Sequence, residues 1–416
     1  MPPTVILGAG FAGIEVARAL GAAGLPVILI DRRNYHLFQP LLYQVATAAL
    51  SPADIAEPIR KMLRNCPSVE VMLDEAVAID TQARSVRLAS GTIVAYSRLV
   101  IATGAAHSYF GHDEWEQFAP GLKTVEDARK IRSRLLLAFE QAEMSRDPAE
   151  QRRLMTIAVI GGGPTGVELA GAIAELARHT LAKDFHRIRA ETATVLLLEA
   201  GDRILTAFPN ELAAYAQAKL QELGVTVRTS CPVERITECS VTAAGEEICV
   251  GFAIWAAGVK ASRMGSLLGV ATDRAGRVAV APDFSVPGLA DVYVLGDLAL
   301  LADESGKPLP GLAQVAKQEG VHLGRTLAKT IVTAAAPPPF RFHNRGNTAI
   351  VGRNAAVFDF GWWRLKGWFA WSFWALIHVY LLVGFQHRLL VAIQWVWRYV
   401  TYEGGSRLIV EEESSE

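Results

Sequence analysis

Two short stretches of this chain space their glycines as a phosphate-binding turn requires. Val5-Ile6-Leu7-Gly8-Ala9-Gly10-Phe11-Ala12-Gly13 reads as a strand, a glycine turn and the start of a helix, and Pro26-Val27-Ile28-Leu29-Ile30-Asp31 as the strand that follows. Gly8 permits a tight turn, Gly10 lets the backbone approach a pyrophosphate, and Gly13 lets the helix pack on the strand, while the helix N-terminus favours the phosphate charge. Asp31 comes 23 positions after Gly8, at the strand end, where a carboxylate accepts hydrogen bonds from ribose hydroxyls. The second copy runs Ile157-Ala158-Val159-Ile160-Gly161-Gly162-Gly163-Pro164-Thr165-Gly166, with its next strand at Thr194 to Leu198 and then Glu199. Glu199 follows Gly161 by 38 positions, against a usual spacing of about 20. Leu176 to Glu191, rich in Arg, His and Lys, reads as a lengthened helix and connection that accounts for the delay. An acid at this strand end repels a 2′-phosphate, so Glu199 favours NADH over NADPH; the alternative is a surface or helix-capping carboxylate.

Two such units imply two dinucleotides, and a flavin passing electrons from a nicotinamide is the economical pairing. Further segments fit the elements that would position them. Leu99-Val100-Ile101-Ala102-Thr103-Gly104 and Phe252-Ala253-Ile254-Trp255-Ala256-Ala257-Gly258 are apolar strands ending in small residues, where backbone passes close to a ligand. Asp291-Val292-Tyr293-Val294-Leu295-Gly296-Asp297 is another, and the Asp297 carboxylate can bind a ribityl hydroxyl.

Composition bounds the alternatives. At 416 residues, 51% apolar and 20% charged, the chain is globular and slightly greasy, with room for two or three domains. A net charge of -1 argues against nucleic acid as a partner. Cys66, Cys231, Cys239 and Cys249 have neither CxxC nor CxxxxC spacing, so reduced, buried thiols are expected and no metal site is. The absence of a leader pattern at Met1-Pro2-Pro3-Thr4 suggests a cytosol-facing compartment.

The order of these segments resembles the two-dinucleotide-binding-domain flavoproteins over residues 4 to 330. Within that superfamily, Asn34-Tyr35-His36-Leu37-Phe38-Gln39-Pro40-Leu41-Leu42-Tyr43-Gln44 and Ala313-Gln314-Val315-Ala316-Lys317-Gln318 are similar to motifs of type II NADH:quinone oxidoreductases, the latter to their AQxAxQ signature. The resemblance implies an α/β fold with two Rossmann-like domains. The FAD domain is split between 1–118 and 282–336, an NAD(H)-binding domain is inserted at 119–281, and a membrane-associating segment follows at 340–416. It implies noncovalent FAD on the first unit, contacted by Gly8, Gly10, Gly13, Asp31, Thr103, Gly104, Gly296 and Asp297. NADH falls to Gly161, Gly163, Gly166, Glu199 and Gly258, and quinone is the acceptor.

If the segment from Ala313 to Leu327 is helical, Gln314 and Gln318 share a face and can donate to a quinone carbonyl; a solvated helix face is the bland alternative. Glu168, read on the first turn of the second glycine-turn helix, either interacts with the helix dipole or, as the resemblance implies, serves as a polar relay beside flavin and nicotinamide. The chain departs from some relatives in having no lysine between Gly367 and Arg388; His378 is a candidate proton donor to the quinone, the alternative being a structural histidine in an aromatic helix. The implied activity is hydride transfer from NADH to FAD and then two-electron reduction of a membrane quinone, without proton pumping. A soluble reductase of a small redox protein and a non-enzymatic, NADH-responsive flavin module are the rivals.

After Pro337-Pro338-Pro339 the composition shifts. Seven of the nine tryptophans lie from Trp362 to Trp397, and residues 341–402 carry seven Lys or Arg against one acid, Asp359. Such a basic, tryptophan-rich segment suits an anionic lipid surface. The run from Trp368 to Phe385 is 18 residues, at the lower edge of a membrane span. His387, Gln394, Arg398 and Thr401, however, fall on one helical stripe, which favours amphipathic helices lying on the cytoplasmic face of the membrane. A homodimer interface using the same aromatics is a third reading. Glu411 to Glu416 reads as a solvated end.

Overall fold

The structure, a computed structural model, describes residues 2–333, 338–381, 385–401 and 407–409. Pro337, Glu411 to Glu416, the end of the 368–385 run and the side chains of His387 and Arg398 lie outside the described residues. The chain divides into two compact units: residues 1–37, 56–106 and 259–344, and residues 38–55, 107–258 and 345–416. The first takes in 259–281, expected in the NAD(H) domain, because Val278 is fully buried among the strands of the first unit's core. Residues 38–55 and 107–118, expected in the FAD domain, join the second together with 345–416, and 340–344 stays with the first.

The first unit is built on a five-stranded parallel sheet in the order Val292–Val294, Arg98–Ile101, Thr4–Leu7, Val27–Asp31, Val69–Leu73. Its inner strands Thr4–Leu7 and Arg98–Ile101 are mostly apolar because both faces are covered, whereas the edge strand Val69–Leu73 exposes Glu70 and Leu73. Ile6, Leu29 and Val100 point to one side, toward the glycine-turn helix Gly13–Ala22 and the long helix Ala313–Thr333. Val5, Leu7, Leu99 and Ile101 point to the other, which Val86, Leu88 and Val94 of a three-stranded meander cover. The long helix runs past the expected Leu327 to Thr333. At Gly320 a Cβ would stand 2.3 Å from the Ala12 carbonyl oxygen, so the two helices touch backbone to backbone at the glycine turn.

The second unit repeats the plan with four parallel strands, Val225–Arg228, Thr194–Leu198, Thr156–Ile160 and Phe252–Trp255. The helix Pro164–Glu175 leaves the second glycine turn, then continues as a π turn over Leu176–Thr180 and a 3-10 turn over Leu181–Lys183. This lengthened connection carries the chain to the late strand that precedes Glu199. Onto the same helix packs a three-stranded antiparallel sheet, Asn347–Gly352, Ala355–Asp359 and Arg364–Gly367. Gly171 permits the close approach: a Cβ there would lie 1.8 Å from the Val351 carbonyl oxygen.

Two helices, Trp368–Leu381 and Phe385–Thr401, follow. The first is 14 residues long, about 21 Å, against a hydrocarbon core of about 30 Å. Among the described residues no helix is long and apolar enough to cross a membrane. The cysteine expectation needs correction: Cys231 is buried and Cys66 half-buried, but Cys239 and Cys249 are exposed. Cys239 precedes the strand Ser240–Ala243, and Cys249 ends the largely exposed edge strand Glu246–Cys249 that pairs with it.

Candidate functional site

In the first unit the glycine turn is fixed before any ligand arrives. Gly8 has φ +95°, and a Cβ on Gly13 would lie 1.9 Å from the Gly8 carbonyl oxygen, so both positions exclude a side chain. Asp31 holds the loop from the strand end: its carboxylate accepts from Ala9 N at 2.7 Å and Arg33 N at 2.8 Å. Gly10 is open except for the Ala102 carbonyl oxygen, 3.9 Å from where a Cβ would stand, which leaves the side a pyrophosphate needs. Thr103 and Gly104 meet Ser262, whose Oγ lies 2.5 Å from Thr103 Oγ1 and whose N–H donates to the Gly104 carbonyl at 3.0 Å. Gly296 and Asp297 open a 3-10 turn, and Gly296 N donates to Glu319 Oε2 at 2.6 Å. These residues form a cradle of the right chemistry for FAD, with backbone donors at the turn and carboxylates at two strand ends.

The second unit reproduces the device. Gly161 has φ +109°, and a Cβ on Gly166 would sit 1.8 Å from the Gly161 carbonyl oxygen, whereas nothing lies within 4 Å of one on Gly163. Glu199 is half-buried at the end of its strand. Its two oxygens accept from Gly162 N and Gly201 N, each at 2.6 Å, as Asp31 accepts from Ala9 N in the other unit. Gly258 packs under Phe110, whose Cζ would be 2.6 Å from a Cβ there.

The second unit also contains a cavity enclosing about 800 Å³ of open space, its mouth included. Glu168, Ala172 and Glu175 of the helix Pro164–Glu175 line one wall, at the spacing that shares a helical face. The hairpin turn from Ile350 to Arg353 supplies a second wall, and the short helix Leu42–Ala46 brings in Tyr43 and Gln44. Trp371 and Trp374 face Tyr399 and Trp395 across the two C-terminal helices, with ring centroids 5.3 Å and 5.2 Å apart. Trp395 Nε1 donates to Gln44 Oε1, and Gln44 Nε2 donates to Tyr43 Oη, both at 2.9 Å.

Glu168 is the fifth residue of its helix, not in the first turn as its sequence position suggested, and no acid stands there. It is therefore out of reach of the N-terminal dipole and turns to the cavity. Burial pushes its carboxyl up to about 8, opposed by a long bond from Ile350 N to Oε1 at 3.4 Å. At neutral pH this is a protonated acid, able to give a proton to a ligand. His378 points away from that role. It is buried, stacked on Trp374 at 4.2 Å with Nδ1 2.8 Å from the Trp374 carbonyl oxygen, and burial pulls its pKa down to about 4. Gln314 and Gln318 belong to the first unit, on the helix Ala313–Thr333. Gln318 Nε2 donates to His343 O at 3.0 Å, and its Oε1 accepts from His343 N at 3.1 Å.

The model of the pyridine nucleotide-disulphide oxidoreductase family matches residues 2–320. The type II NADH:quinone oxidoreductase Ndh of Mycobacterium tuberculosis is 38% identical over 99% of this chain and 90% of its own length. Its second such protein, NdhA, is 41% identical over 94% and 86%. The chain belongs to the type II NADH:quinone oxidoreductases. The solved structure of NDH2 from Plasmodium falciparum in complex with NADH shares the fold, with a TM-score of 0.89 at 21% identity, covering 99% of this chain and all of that one.

Sequence reasoning missed Glu319. It is 2% exposed, and burial, with the nearby Asp297 charge, pushes its carboxyl up to about 7. The only signal was its place in the turn after Gln318. Glu175 and Arg353 were also missed, since nothing local marks them as facing the same space. Tyr43 and Gln44 lay in the quoted motif, but without a role.

Proposed function

We propose that this enzyme takes a hydride from NADH onto bound FAD and passes two electrons to a membrane quinone held in the cavity of the second unit. FAD, when bound, supplies the chemistry that accepts a hydride and releases electrons. The chain's residues do the rest. Asp31 and Glu199 hold the two glycine turns and orient the riboses, and Glu199 disfavours a 2′-phosphate. The paired aromatic rings pack on each other and give the cavity an apolar wall for a quinone ring to lie against, and Glu168 holds the proton its carbonyl needs. Glu168 is the observation that carries this reading: an acid kept protonated by burial, in the wall of an aromatic cavity, on the helix that starts at the NADH glycine turn. Gln314 and Gln318, on the long helix of the first unit, are not among the residues lining this cavity, and Gln318 braces the His343 segment.

The C-terminal helices support a lipid surface as partner. Ala370, Trp374 and His378 face inward, while Phe369, Phe373, Leu376 and Tyr380 stand exposed at helical spacing on the other side. On the second helix Val391 is buried, whereas Leu389, Ile393, Val396 and Trp397 are exposed. The same pair of helices thus lines the cavity and offers an apolar face, by which a lipid-soluble acceptor reaches the site from the membrane surface. Association of two copies through this face is the competing use, which sedimentation in detergent distinguishes.

The test is steady-state NADH oxidation by purified holoenzyme with short-chain ubiquinone and menaquinone analogues and with ferricyanide. One quinone reduced per NADH supports the reading. Turnover with a small redox protein alone favours the soluble reductase, and negligible turnover with every acceptor favours a binding module.

A further inference from the structure

Reduction of a quinone by two electrons deposits negative charge on oxygen before protonation is complete, and one buried acid accounts for one proton. The cavity wall also carries a permanent cation. Arg353 sits at the hairpin turn after Gly352, with its Cζ 4.2 Å from the centroid of the Tyr399 ring and its Nη2 donating to the Tyr399 carbonyl. Its backbone N–H donates to Glu175 Oε1, which fixes the turn. A guanidinium stays charged at any physiological pH; the tryptophan and tyrosine rings screen its field weakly, and the Glu175 carboxyl group faces the same space. The neighbouring His179 feels it: burial first, then the Arg353 charge, lowers that imidazole's pKa. The titratable groups facing the same space are Glu168 and Glu175 on one helix and Tyr43 and Tyr399 on two others.

We propose that Arg353 is the charge-stabilising residue of the quinone half-reaction. The inference rests on the reading of the cavity as the quinone site. Two electrons from NADH oxidation and the proton of Glu168 convert the quinone to its hydroquinone monoanion. The negative oxygen is stabilised by the Arg353 charge until a proton from solvent completes the hydroquinone and a second reprotonates Glu168. Quinone, two electrons and two protons thus give one hydroquinone. The cavity accordingly selects anionic quinone-like ligands over neutral ones of the same shape.

The experiment measures equilibrium binding to oxidised holoenzyme by quenching of tryptophan fluorescence. It uses 2-hydroxy-1,4-naphthoquinone, an anion at neutral pH, and its neutral 2-methoxy counterpart. In the parent enzyme the anion binds more tightly. Arg353→Met loses that preference by about tenfold to a hundredfold, the ratio that follows from about 1.5–3 kcal/mol for a hydrogen bond to a charged group. Arg353→Lys keeps most of it, with the affinity of the neutral compound as the reference in each variant. Because the readout is a ratio within one protein, partial loosening of the turn affects both ligands alike. An unchanged ratio in Arg353→Met overturns the proposal and leaves the cavity assignment standing. If neither compound binds in competition with a short-chain quinone, the cavity assignment itself fails and the proposal with it.

Discussion

At the scale of single residues the chemistry turns on where Glu168 keeps its proton. Its native pKa of about 8 lies above the ordinary glutamate value of 4.5. The folded chain therefore holds a proton that the unfolded chain has released between those two values. This group's contribution to stability is full below about pH 4.5 and is lost as pH rises through about 8. Glu168→Gln should remove that part of the decline, which thermal melts across the range will show. The same substitution should depress quinone reduction at pH 7 and abolish a fall in rate as pH rises past 8, with flavin reduction by NADH much less affected. Glu168 could be singled out from sequence because it follows a glycine turn. Its burial could not, because its partner Ile350 lies 182 residues away, on a hairpin whose seating depends on Gly171. Arg353 and Glu319 were illegible for the same reason: a charged residue's environment is a tertiary property.

The secondary elements explain why two similar motifs serve two separable sites. In each unit the first and third glycines touch, so adding one methyl opens the turn. Gly13→Ala should yield colourless protein that has lost FAD. Gly166→Ala should remain yellow and lose NADH affinity; absorbance spectra and NADH titrations separate the two. Gly171→Ala acts further along, since its Cβ collides with the Val351 carbonyl and pushes the hairpin from the helix. Such overpacking costs about 1–3 kcal/mol, and it should lower quinone turnover more than ferricyanide turnover. The parallel strands and both glycine turns were readable because local pattern and burial agree in a sheet covered on both faces. That two helices follow the linker was readable, but not their faces: Trp368–Leu381 is apolar on its exposed side as well as its buried one. The stripe of Gln394 and Thr401 was legible, whereas the inward use of Trp374, Trp395 and Tyr399 depends on how two helices pair around a cavity.

For the whole molecule, the exposed apolar face of the two C-terminal helices is the proposed membrane contact. Replacing Ile393, Val396 and Trp397 with serine should release the enzyme from vesicles containing anionic lipid, as flotation measures. It should impair long-chain quinone reduction while sparing ferricyanide, since these side chains are exposed and outside the cavity wall. The central claim is that the cavity of the second unit is where electrons leave for the quinone. Ala172 lines that cavity with a small, buried side chain, and Ala172→Trp would fill it without touching either glycine turn. Anaerobic stopped-flow absorbance of this variant, mixed first with NADH and then with a short-chain quinone, separates the two half-reactions. The account predicts near-parental flavin reduction and at least about tenfold slower reoxidation by quinone. Unimpaired reoxidation, or equal slowing of both steps, would contradict it.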